Sequence, residues 1–364
     1  MKKSLTTLAV LATAMTLPLA APTAFAADPA AKPMFTVLPA HGTIHQFAHR
    51  PAALATWNGS YTYSGHTYNF TMVGADPSKT NTTTTVSVFV IPVKMVYSAA
   101  LYGKKYIFNP NKDKWNSATI TQSILNSPLF NSLDWNWGGT DFGNTQYEDA
   151  FQRGSFWGDG ISTKNPNYHV VFATPKVLTE QVIKVTKAQG GGVIANPFGA
   201  GEVGEMNINS FDSFIQTTLS KYSSQITPGT FPVFVVDNVY LTSGGCCIGG
   251  YHSADNNGQT YSMASFVTDS GAFSQDISAF SHEFGEWYDD PLTNNGSACG
   301  GLLEVGDLLE RKANYGTFPV VLNGVTYHPQ YLGWMEYFGA PANFSGNNWL
   351  DNGHLETSVC QDGQ

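Results

Sequence analysis

Apolar and polar residues alternate over 61–72 around Ser64-Gly65, which predicts a β-hairpin with a tight central turn. A long β-branched run over 84–97 predicts a strand, and Pro92 within it points to an edge or a bulge, because proline cannot donate to a ladder. Helical spacing follows at 118–126, stopped by Pro128, and at 145–156, where Tyr147, Ala150, Phe151 and Phe156 share a face. Strands return at 168–173 and 181–186, and the glycine-rich run 190–201 reads as a loop. A helix over 209–222, capped by Asn209 or Ser210, carries the stripe Phe211, Phe214, Ile215, Leu219. Strands are then expected at 234–241 and 261–268, the latter at a sheet edge, with a cysteine- and glycine-rich turn at 243–251 between them.

The segment 275–290 carries the chemistry. Ser274 is the expected cap, and Pro291 ends the helix by disfavouring helical backbone at Asp290. At about 100° per residue, Glu286 lies about 40° and Glu283 about 100° from His282, while Ile277, Phe280, Phe284 and Trp287 fall on the opposite side. One face of the helix is therefore apolar. The other brings an imidazole and a carboxylate, four positions apart, toward one point, with a second carboxylate beside them.

Composition adds an address. Lys2 and Lys3, an apolar stretch over 5–19 and Ala24-Phe25-Ala26 have the layout of a secretory signal peptide, with cleavage expected after Ala26. Its removal leaves 16 basic residues against 27 acidic ones, a net charge near −11, which argues against nucleic acid or an anionic membrane as partner. The expected location is secreted or periplasmic. Four cysteines, Cys246, Cys247, Cys299 and Cys360, suit two disulfides in an oxidising compartment. Separate bonds from Cys246 and Cys247 to Cys299 and Cys360 are favoured over a vicinal pair, and the absence of a C-x2-C pair argues against a cysteine metal site.

The stretch His282-Glu283-Phe284-Gly285-Glu286 resembles the H-E-x-x-H helix of the zincin metallopeptidases, with Glu286 where that family has its second histidine. The resemblance implies Zn2+ or another divalent ion held by His282 and Glu286. It makes Glu283 the general base for a metal-bound water acting on a polypeptide substrate. Downstream, Leu303-Glu304-Val305-Gly306-Asp307 matches the position from which one zincin branch takes its third ligand, which implies Glu304 as ligand and Asp307 in an outer, orienting role. His252, in Gly250-Tyr251-His252-Ser253, is a candidate for catalysis or ligation, and Asp290 for an outer role. Taken together, the GYHS, SHEFGEWYDDP and LEVGD segments also resemble secreted bacterial proteins akin to the plant phosphate-induced EXORDIUM family, over roughly residues 230–310.

The expected fold is α+β. A β-rich part over 27–160 follows the signal peptide (1–26), and a zincin-like region with mixed sheet, active-site helix and disulfides covers 161–364. The leading function is a secreted zinc metallopeptidase. The alternative is a non-catalytic, EXORDIUM-like envelope or polysaccharide-associated protein with a structural ion site, and a two-carboxylate glycosidase ranks third. His41, His45 and His49 read as an irregular arm, and Glu148-Asp149 with Arg153 as a solvated helix pair. Trp57, Trp135, Trp137 and Trp157 are candidate sugar-stacking residues, although aromatic residues more often belong to a core.

Overall fold

The computed structural model describes residues 34–37, 53–268, 274–309, 316–341, 344 and 359–360. The signal-peptide segment and His41, His45 and His49 lie outside the described residues. The architecture is mixed α+β, with one large mixed sheet and few helices. No helix among the described residues is long and apolar enough to cross a membrane.

The sheet runs in the order His169–Phe172, Thr83–Tyr97, Thr230–Asp237, Thr260–Phe266, Cys246–Ala254, Val239–Thr242, Glu202–Asn207, Gly192–Ala195. The first four strands are mutually parallel, and Cys246–Ala254 is antiparallel to both of its neighbours in that order. Strands from both sides of residue 160 thus share one sheet. Met34–Val37 adds in parallel along Cys246–Ala254, with Val37 opposite His252. Pro92 falls in the gap between the short strands Lys176–Val177 and Gln181–Val185, which pair with the long strand on either side of it. Its missing N–H therefore breaks no ladder on that flank.

Several expectations need correction. Thr260–Phe266 is a central strand, paired on both sides, and not an edge. The expected turn over 243–251 is mostly strand, and the expected strand over 234–241 breaks at Asn238, whose φ is 49°. Helix Ile208–Lys221 is capped by Asn207, whose side chain accepts from the N–H groups of Asn209 and Ser210. Cys246 bonds Cys247, and Cys299 bonds Cys360. The second bridge forms where Cys299 Sγ and the Cys360 N–H both meet the carbonyl of Tyr337.

Burial bears on two further readings. Glu148, Asp149 and Arg153 are buried: Asp149 accepts from Thr145 Oγ1 and the Val170 N–H and meets His169 at 2.6 Å, while Arg153 donates to carbonyls of Phe142, Pro166 and Tyr168. Trp135 and Trp137 are core residues, and Trp57 and Trp157 pack partly buried against the same core.

The motif helix, Ser278–Asp289, lies on strands Thr260–Phe266 and Cys246–Ala254, with helix Tyr147–Ser155 beside it. Its predicted apolar face packs as read: the Trp287 ring stacks on Phe231 at 3.8 Å, and Phe284 meets Phe172 and Phe130. The opposite face is buried as well, so the helix has no solvent side. Its entry is held by Asp276, whose Oδ1 accepts from the N–H groups of Ile277 and His328 and whose Oδ2 meets His328 Nδ1 at 2.6 Å.

The Asp276 hydrogen bond raises the His328 pKa above 6.5. A raised pKa contributes stability that is full below the unfolded value and is lost as pH climbs through the folded one. Thermal melts are therefore expected to lose a few degrees as pH rises from 6.5, and His328→Gln should flatten that decline. An unchanged slope in the variant would contradict the assignment.

Candidate metal centre

His282 and Glu286 stand one turn apart on the motif helix, with His282 Nε2 3.0 Å from Glu286 Oε1. Asp307 Oδ1 lies 3.3 Å from the same nitrogen. The tautomer of His282 follows from its other neighbour. Gln330 Nε2 donates to the Gly306 carbonyl at 2.7 Å, so its Oε1 faces His282 Nδ1, 3.1 Å away. An amide oxygen only accepts, which puts the imidazole proton on Nδ1 and a lone pair on Nε2. That nitrogen lies within 3.3 Å of two carboxylate oxygens, a grouping that gains energy when a cation is shared among them.

His252 repeats the pattern on the neighbouring strand. Its Nε2 lies 3.2 Å from the backbone carbonyl of Asp290, which can only accept, so Nε2 carries the proton. Its Nδ1 then faces Glu283 Oε2 at 3.1 Å and Glu286 Oε2 at 3.7 Å. Burial pushes the pKa of His252 down to about 3, keeping the ring neutral. Two groups, His282/Glu286/Asp307 and His252/Glu283/Glu286, each bring three possible ligand atoms within 4.8 Å of one another. A third group, Glu205 with Cys246 and Cys247, has its sulfurs tied to each other and offers no thiolate.

The carboxyls crowd one another. Burial first, then Glu286, raises the pKa of Glu283 well above the usual range, and burial with Glu286 and Asp307 does the same for Glu304. Glu304 is hydrogen-bonded to Glu286, while Asp307 takes the place beside His282 that the sequence reading assigned to Glu304. Asp290 contributes to the centre through its carbonyl. Its carboxyl accepts from the N–H groups of Asn294 and Asn295, closing the turn after the helix, and burial pushes it up to about 7. Asp289, the last residue of the helix, is buried.

Glycine makes the close approach possible. A Cβ at Gly306 would sit 2.4 Å from His282 Nδ1, and one at Gly250 would sit 2.8 Å from Glu283 Cγ, both inside contact distance. The Gly306 N–H also donates to Glu286 Oε1 at 3.2 Å. Gln330 is steadied in turn by Ser281 Oγ, which accepts its N–H at 2.9 Å, and by Tyr147, whose hydroxyl donates to its carbonyl.

Sequence reasoning brought His282, Glu283, Glu286, Glu304, Asp307 and His252 to one place. It missed Gln330, Gly250 and Gly306 as parts of the centre. Ser281 was legible only as the serine of the S-H-E string, and nothing in local spacing announces Gln330. Comparison with protein-family models, with curated proteins and with solved structures finds no match for this chain.

Residues that orient a ligand histidine typically matter 10–100-fold for affinity. Gln330→Leu should therefore weaken Zn2+ binding by about that factor in calorimetry, and an unchanged affinity would remove Gln330 from the centre. Chelation should also lower thermal stability, by about 3–4 kcal/mol relative to metal at 100–1,000 times its Kd. Identical melts with EDTA and with Zn2+ would argue against a resident ion.

Proposed function

We propose that the chain is an exported, metal-dependent hydrolase of the zincin type, acting on polypeptides. The observation that carries this reading is His282 Nε2, left with its lone pair by the Gln330 contact and standing 3.0 Å from Glu286 Oε1 and 3.3 Å from Asp307 Oδ1. Those three residues would hold the ion, with Glu304 braced on Glu286. A divalent ion there supplies Lewis-acid activation of water and of the substrate carbonyl.

The chain's own residues would handle the proton. Glu283 lies beside the ligands, and its Oε1 has no hydrogen-bond partner among the described residues. Burial raises its pKa, which suits a group that must accept a proton and give it up again. His252, neutral and locked by the Asp290 carbonyl, fixes the other oxygen of the same carboxyl. Asp307, whose side chain is 25% exposed, gives the centre a side toward solvent. The signal-peptide layout and the Cys299–Cys360 disulfide support export.

One observation favours a second reading, the non-catalytic EXORDIUM-like protein with a structural ion. His252, Glu283, His282 and Glu286 are completely buried, and Glu283 Oε2 is already engaged by His252 at 3.1 Å. Glu283→Gln separates the two. The hydrolase reading expects casein hydrolysis to fall by about 10²–10⁴-fold with metal content unchanged. Equal hydrolysis in variant and parent, or none in either, would favour the structural ion.

A further inference from the structure

The Cys246–Cys247 bridge stands apart from the metal centre, where the turn after strand Val239–Thr242 runs into strand Cys246–Ala254. Ser243, Gly244 and Gly245 of that turn are exposed, and a Cβ added at either glycine would meet nothing within 4 Å, so the space beside the turn is open. The two sulfurs belong to unlike surroundings. Cys246 is half-buried, while Cys247 is completely buried in the main apolar cluster. A carboxyl oxygen of Glu205, on strand Glu202–Asn207, lies within 4.8 Å of both sulfurs. We propose that this bridge is a thiol-exchange site: an external thiol is captured on Cys246, and Cys247 leaves as a thiol protonated by Glu205.

The step balances with a thiol as its only co-reactant. The incoming thiolate attacks the Sγ of Cys246, the more accessible sulfur, and a new S–S bond forms as the Cys246–Cys247 bond breaks. The electron pair of the broken bond goes to Cys247 Sγ. A thiolate there would be a bare charge inside an apolar cluster, which is costly. A neutral cysteine is at home in such a place. A proton must therefore arrive with the electron pair. Glu205 can deliver it, directly or through one water, and burial raises its pKa, which helps it keep a proton to give. In reverse, Cys247 returns its proton to Glu205, attacks Cys246 Sγ and releases the captured thiol.

Opening this bridge frees little chain. It joins neighbouring residues and closes no loop, whereas Cys299–Cys360 ties segments 61 positions apart. The bond can therefore exchange while the sheet keeps its order.

Peptide masses test this on the whole folded chain. The probe is reduced glutathione, sampled early, quenched in acid, with free thiols alkylated after unfolding. Glutathione is expected on Cys246 and the alkyl group on Cys247, with Cys299–Cys360 intact. Glu205→Gln, which keeps the size of the side chain, should slow capture by about 10²-fold. Capture on Cys247, or at Cys299–Cys360 alone, would overturn the proposal, as would an unreacted Cys246–Cys247 bridge in chain that stays folded. An unchanged rate in Glu205→Gln would overturn the role given to the carboxyl.

Discussion

Everything at this centre follows from one electrostatic constraint: acidic side chains are buried against neutral imidazoles. Charge taken out of water is costly unless it is matched. Here the histidines cannot provide the match by protonation. The proton of each ring is committed to a carbonyl-type oxygen on its far side, and the near side offers only a lone pair. A retained proton or a shared cation can supply the match. The raised pKa values of Glu283 and Glu304 state the first option, and the convergence of nitrogen and oxygen atoms states the second.

The rest of the fold serves to make that crowding possible. The motif helix is held on its apolar side by stacked aromatics, Trp287 on Phe231 and Phe284 on Phe172, which fix its rotation over the sheet. With rotation fixed, His282, Glu283 and Glu286 must face strand Cys246–Ala254 and the segment carrying Asp307. Gly250 and Gly306 let backbone come close enough to touch those side chains. The Asp276–His328 contact sets where the helix begins, and the Asp290 turn sets where it stops. Loss of rigidity at either end would move His282 and Glu286 together, since they stand one helical turn apart.

Much of this was legible in the sequence because helices and strands translate spacing directly into direction. The wheel placed His282 and Glu286 on one line and the aromatics opposite, and the structure has them so. The wheel could not reveal that the polar face is buried too, since amphipathic spacing looks the same whether the polar side meets water or a second layer of protein. Glu148 and Asp149 misled for the same reason: an acidic pair reads as solvated until its partners, Thr145, Val170 and His169, are known. Strand order was beyond reach. A run such as 261–268 looks the same at an edge or in the centre, and only long-range pairing decided that it is central. Gln330 was invisible because its role depends on a fold-back that carries no local pattern.

The most direct test of the account is the coordination shell of the ion itself. X-ray absorption at the zinc edge, on the purified chain loaded with one equivalent, reads donor type and distance without assuming a function. An oxygen and nitrogen shell is expected at about 2.0–2.2 Å, one that includes an imidazole and no sulfur and that changes when His282 is replaced. A sulfur shell near 2.3 Å, or a fully hydrated ion, would contradict it.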